Sequence, residues 1–227
     1  MTFGSLFSGI GGMDLGLERA GMECRWQVEI DDYCRKVLAK HWPNVRRYGD
    51  IREVTGAELE PVDLIAGGFP CQPFSTASHG RRRGTDDARW LWPDMRHIIS
   101  ESEPTWIFGE NVAGFNGPGL EQMVAEMEAD GYEVAPPLSI PACAFGRDHR
   151  RTRLWILAYA DARGKPGGQI NAEAQMLSRF GNDARSMGRT HGISKGMDRT
   201  RMKALGNAVV PQVSEWIGRR ILEAFNG

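Results

Sequence analysis

The chain has 227 residues, 41% hydrophobic and 25% charged, enough to bury one sizeable core and too few for a multidomain machine. Its 28 basic residues against 29 acidic ones leave a formal charge of −1, so only a local concentration of charge, not the overall balance, predicts a polyanionic partner. No apolar stretch approaches the roughly 18 residues of a membrane span, residues 1–7 lack the basic head of a secretory signal, and Cys24, Cys34, Cys71 and Cys143 lack the spacing of a disulfide scaffold or zinc site; reduced thiols, no structural metal and a cytoplasmic setting are expected.

In chain order, short apolar runs at residues 3–7, 26–30, 62–66, 106–108 and 154–159 alternate with amphipathic stretches at 13–20, 31–41 and 118–130. Gly21, Pro43 and Gly131 stop these stretches, as helix C-termini require. The alternation predicts an α/β fold with a doubly wound, mostly parallel sheet, which collects its ligands at the carboxyl ends of the strands. Residues 161–200 change character: Gly164, Pro166, Gly167, Gly168, Gly181, Gly188, Gly192 and Gly196 interrupt them, which predicts a small module or long loop. Val209, Val213, Trp216, Ile217, Ile221 and Phe225 then recur at helical spacing and predict a helix that packs back onto the sheet. The expected organisation is therefore 1–160, 161–200 and 201–227.

The residues with chemical potential fall at the predicted strand ends. Phe7, Ser8, Gly9, Ile10, Gly11 and Gly12 follow the first strand, where glycines allow a tight turn and close approach to a nucleotide-like ligand, although a plain tight turn reads the same way. Glu29 ends the second strand, placed to accept hydrogen bonds from ribose hydroxyls, and Asp50 ends the third, a position that equally suits a helix N-cap. Cys71 sits between Pro70 and Pro73 after Gly67 and Gly68, a setting that favours a nucleophile over a packing residue. Glu110 follows the fifth strand as a candidate acid with a raised pKa, or as a satisfied structural carboxylate. Arg151 and Arg153 alternate at the start of the last strand, so period-2 geometry puts both on one face, suited to an anion or carbonyl oxygen.

Taken as an ordered series, these residues resemble the DNA (cytosine-5) methyltransferase family. Phe7 to Gly12 resemble its cofactor loop, Glu29 its ribose-binding acid, Asp50 with Ile51 its adenine-contacting pair, and Pro70-Cys71-Gln72 its nucleophile motif. Glu110-Asn111-Val112 resemble the motif whose Glu engages the target base, Arg151 and Arg153 its paired arginines, and Gly206 to Pro211 the motif that completes the cofactor pocket. The resemblance implies an S-adenosylmethionine-dependent, Rossmann-like catalytic domain with a reduced target-recognition segment at 161–200. It further implies a cofactor pocket formed by Phe7, Ser8, Gly9, Gly11, Gly12, Glu29, Ile30, Asp50, Ile51, Pro70, Asn207 and Val209, and catalysis by Cys71, Glu110, Arg151 and Arg153 on a base flipped from duplex DNA. A monomer in a prokaryotic cytoplasm, encoded by cell or phage and with room for a restriction enzyme as companion, completes the implication. Where the family carries Pro and Gln before its arginine pair, this chain has Asp148 and His149. An RNA-directed enzyme with the same chemistry and a silent DNA-binding regulator are the alternatives; a nicotinamide oxidoreductase is disfavoured because the loop lacks the full GxGxxG spacing. A recognition segment this short should read a site of about two to four base pairs.

Overall fold

The computed structural model describes residues 1–70, 90–148, 151–160 and 198–226. In chain order, strands β1 (Thr2–Leu6) and β2 (Glu23–Val28) bracket helix α1 (Gly12–Ala20), and helix α2 (Asp32–His41) leads to β3 (Arg46–Tyr48) and β4 (Leu64–Gly67). Helix α3 (Trp92–Ser102), strand β5 (Trp106–Val112), helix α4 (Pro118–Ala129) and strands β6 (Tyr132–Val134), β7 (Leu138–Pro141) and β8 (Thr152–Ala160) follow. Helices α5 (Arg199–Asn207) and α6 (Pro211–Asn226) end the chain.

Backbone chemistry explains most of these boundaries. Gly21 closes α1 in the left-handed region, its N–H reaching the Glu18 and Leu17 carbonyls. Asp31 caps α2 by accepting hydrogen bonds from the Tyr33 and Cys34 amides. Pro118 opens α4, where its missing N–H costs nothing.

The sheet order is β3-β2-β1-β4-β5-β8-β6, with β7 also paired to β8. The pairs from β3 to β5 are parallel, whereas β8 runs antiparallel to β5, β6 and β7. The sheet is therefore mixed, because β6, β7 and β8 follow one another without a helical crossover, and strands so joined pair antiparallel. Side chains alternate between two cores: Ile65, Ile107 and Ile156 pack with Met95, Ile98 and Met123 of α3 and α4, while Leu64, Phe108 and Trp155 pack with Leu17, Val213 and Ile217 of α1 and α6. Helices α1 and α6 approach closely at Gly16, where a Cβ would fall 2.0 Å from Ser214 Oγ. Among the described residues no helix is long and apolar enough to cross a membrane.

Candidate active site

At the carboxyl edge of β1 the chain turns sharply. Phe7 has φ 54°, Gly9 57° and Gly11 80°; for Phe7 this left-handed conformation costs on the order of 1–2 kcal/mol. The turn is held from β2, since Ser8 N–H donates to the Val28 carbonyl at 3.1 Å. Glu29 supports it further: one carboxylate oxygen accepts from Gly9 N–H at 2.7 Å and the other from Asp31 N–H at 2.8 Å. Each oxygen keeps a second lone pair, so a carboxylate fixed in this way can still accept a ligand hydroxyl. The segment joining α5 to α6 closes over the loop, and a Cβ on Gly12 would come 2.6 Å from the Val209 carbonyl oxygen.

Beside this loop lies a cleft of about 750 Å³, bordered by Ile30, Asp31, Tyr33, Asp50 and, from α5, Thr200. Ile30 is 61% exposed, an aliphatic face left largely uncovered by the described residues. Asp50 borders the cleft and caps the 3-10 turn Ile51–Glu53, accepting from Arg52 N–H at 3.1 Å. The Arg52 guanidinium holds the Asp50 carboxyl below the usual carboxylate range. Ile51 is buried in the core, so its side chain supports the turn. Asn207 ends α5 with an exposed side chain. An apolar face, a carboxylate with free lone pairs and a glycine loop suit the adenine, ribose and tail of an adenosine cofactor, so the donor set fits S-adenosylmethionine.

The second half of the site stands at the ends of β4 and β5. Cys71 lies outside the described residues with the rest of 71–89, as do His149, Arg150 and residues 161–197. The stem that carries Cys71 is fixed by its neighbours. The Phe69 ring meets Trp90, Trp92 and Phe115 at centroid distances of 5.5, 5.8 and 5.4 Å. Asn111 anchors the same stem, its Nδ2 3.4 Å from the Phe69 carbonyl, while its Oδ1 accepts from Val112 N–H at 2.9 Å.

Glu110 is not past the end of β5 but inside it. The parallel ladder with β4 stops at Gly67–Gly109, and the antiparallel ladder with β8 carries β5 on through Glu110–Trp155 to Val112–Arg153. Residues opposite and diagonal on one face of a ladder are neighbours, and Arg153 Nε stands 2.8 Å from Glu110 Oε1. Position 68 has no room for a side chain, as a Cβ there would meet Glu110 Oε2 at 2.9 Å. Glu110 is 8% exposed; burial raises its pKa, opposed by Arg153 and Arg151. Arg151 has its pKa lowered by burial and by Arg153, with Glu110 acting against both. Arg151 and Arg153 border one small cavity, so the expected same-face geometry holds. Two guanidinium groups share one carboxylate, a cationic excess suited to an electron-rich oxygen.

Burial pushes the Cys34 thiol up to about 12 and the Cys24 thiol higher still, which keeps both protonated and unreactive. Sequence reasoning missed two features: the hold of Asn111 on Phe69, and a buried network in which Asp14 accepts from Ser5 Oγ at 3.1 Å and from Gln27 Nε2 at 2.9 Å. A carboxylate three residues before Leu17, on the buried face of α1, is the signal for the second.

The chain matches the family described as C-5 cytosine-specific DNA methylase over residues 1–183. It is 35% identical over 170 residues to the Type II methyltransferase M.HgiCII of Herpetosiphon aurantiacus, covering 72% of this chain and 38% of the relative. To M.HpaII of Haemophilus parainfluenzae it is 34% identical over 171 residues, covering 72% and 47%. The chain thus spans less than half the length of these curated relatives. Among solved structures, the Entamoeba histolytica methyltransferase EhMeth aligns over 98% of both chains with a TM-score of 0.68 at 14% identity, and S. pombe Dnmt2 methyltransferase over 73% and 52% with a TM-score of 0.61 at 20% identity. At such identities the likeness shows a shared fold.

Proposed function

Because the chain belongs to the C-5 cytosine-specific DNA methylase family, we propose that it transfers a methyl group to C5 of cytosine in double-stranded DNA. One observation carries this reading: the buried Glu110–Arg153 pair stands against the stem that leads to Cys71, on the sheet edge that also holds the Glu29-pinned glycine loop.

Cytosine C5 is too weak a nucleophile to accept a methyl group unaided, and C6 is closed off within stacked DNA, so the base must be flipped out. The Cys71 thiolate adds to C6 and makes C5 enamine-like. Charge then gathers at N3, where Glu110, its pKa raised by burial, supplies a proton. Arg153 holds O2, and Arg151 keeps the surroundings cationic. Phe7, Ser8, Gly9, Gly11, Gly12, Glu29, Ile30, Asp50, Pro70, Asn207 and Val209, with Ile51 behind them, would hold S-adenosylmethionine, which would supply an electrophilic methyl group to C5 and leave as S-adenosylhomocysteine. Loss of the C5 proton, return of the N3 proton to Glu110 and release of Cys71 restore the aromatic ring.

Residues 1–160 form the catalytic unit in this reading, 161–200 the recognition segment and 201–227 the closing element. The enzyme works as a cytoplasmic monomer in a prokaryotic cell, alongside a restriction enzyme where one is encoded. Incubating the purified protein with S-adenosylmethionine carrying a tritiated methyl group, and with either duplex DNA or tRNA, tests the proposal. Label recovered as 5-methylcytosine in DNA is the expected result; label in tRNA alone, or in neither polymer, contradicts it.

A further inference from the structure

Trp155 stands directly opposite Glu110 on the β5–β8 ladder and is 1% exposed. Its ring stacks on Phe108, centroids 5.3 Å apart and planes at 18°. Packing therefore accounts for the ring but not for its N–H: Nε1 is buried and has no hydrogen-bond acceptor among the described residues. A buried donor left without a partner is costly, and tryptophan N–H groups inside proteins ordinarily find one.

Trp155 also lines a small cavity between β7, β8 and the segment joining α5 to α6, together with Arg151, Arg153, Ala208, Val209 and Val210. The cavity offers about 10 Å³ to the centre of a water-sized molecule, close to the minimum that one water requires. Among the described residues the charged side chains lining the cavity are the two guanidinium groups, which donate and cannot accept, and Glu110, the acceptor opposite on the ladder, does not line it and takes no hydrogen bond from Nε1. A water can accept from Nε1, because its oxygen carries lone pairs that the guanidinium groups lack.

We infer that this cavity is a binding site for a single structural water and that Trp155 is a positioning residue acting through it. The water joins β8, which carries Arg151 and Arg153, to the 208–210 segment, which in turn abuts Gly12 of the glycine loop. The positioning role rests on the assignment of the two arginines to the reacting base; the water site does not.

A crystal structure of the full chain that resolves ordered solvent decides the site. Density for a water about 3 Å from Nε1 is expected, and a dry cavity overturns the inference. The role is tested by Trp155→Phe and by replacing Trp155 with benzothienylalanine, which keeps the shape of the indole but has no N–H. The expected loss in kcat is roughly three- to tenfold, the worth of one hydrogen bond, with KM for S-adenosylmethionine and the melting temperature of the benzothienyl variant near parental values. If Trp155 only packs, the benzothienyl variant keeps full kcat and the positioning role is refuted. A parent protein with no methyl transfer counts against the assigned reaction instead, and the density at Nε1 still decides the water.

Discussion

Glu110 is where burial and charge are set most directly against each other. Desolvation favours its neutral form and two guanidinium groups favour the charged one, the balance that the proposed proton transfer to N3 calls for. Glu110→Gln keeps a hydrogen-bonding group but removes the proton, so single-turnover methyl transfer should slow by on the order of a hundredfold; a near-parental rate would make Glu110 structural. Asp14 poses the same problem without the arginines. Burial is the largest influence on it, and its pKa is pushed up to about 6 from 3.8, so above pH 6 a charge is buried and stability is lower. As pH falls from 6 towards 4 the folded protein takes up this proton ahead of the unfolded chain and gains stability, in total on the order of 3 kcal/mol for about two pK units. Thermal melts of the parent and Asp14→Asn at pH 7.5, 6 and 5 should therefore move in the parent's favour as pH drops, and a difference independent of pH would show that Asp14 does not titrate there. Glu110 could be found in the sequence because it follows an apolar strand among other strand-end groups. Asp14 is marked in the sequence only by standing three residues before Leu17 on the apolar face of α1, and what makes it unusual is the depth at which α1 places it.

The strands and helices were legible where backbone punctuation marks them. Gly21, Pro43 and Gly131 ended their helices as C-cap chemistry requires, and β1, β2 and β4 fell within two or three residues of their apolar runs. Helix α3 has the right spacing in Trp92, Met95, Ile98 and Ile99 but weak signals at its ends: Leu91 makes no side-chain cap and Glu103, rather than glycine, takes the left-handed C-cap. The extension of β5 through Glu110 was hidden for another reason, since it depends on a partner strand more than forty positions away in sequence. The contact of α1 with α6 gives the sharpest test at this scale. A methyl group at position 16 would collide with Ser214 Oγ at 2.0 Å and the Pro211 carbonyl at 2.4 Å, and the latter is backbone that cannot turn aside. Gly16→Ala should destabilise the protein by about 1–3 kcal/mol through overpacking, despite alanine's better helix propensity. A melting temperature at or above the parent's would mean that the two helices do not meet as described.

Across the whole molecule, the β strands bring to one sheet edge groups that are far apart in sequence. In the proposed reading the turn after β1 and Glu29 after β2 build the cofactor side and the stem after β4 and Glu110 on β5 the reacting side, while antiparallel β8 brings Arg153 back to the same edge. The order of these groups could be read from the sequence, and their convergence follows from the doubly wound sheet. Base recognition could not be read in the same way: residues 161–197 lie outside the described residues, and glycine-rich composition does not specify which bases a segment contacts. The central claim, that Cys71 attacks cytosine in DNA at this edge, has a direct test. Duplex DNA in which 5-fluorocytosine replaces cytosine should trap the parent protein covalently in the presence of S-adenosylmethionine, because fluorine cannot leave as a proton does. The account predicts a DNA–protein adduct that survives denaturing electrophoresis and is absent with Cys71→Ser; no adduct with the parent, or an undiminished adduct with the variant, would contradict it.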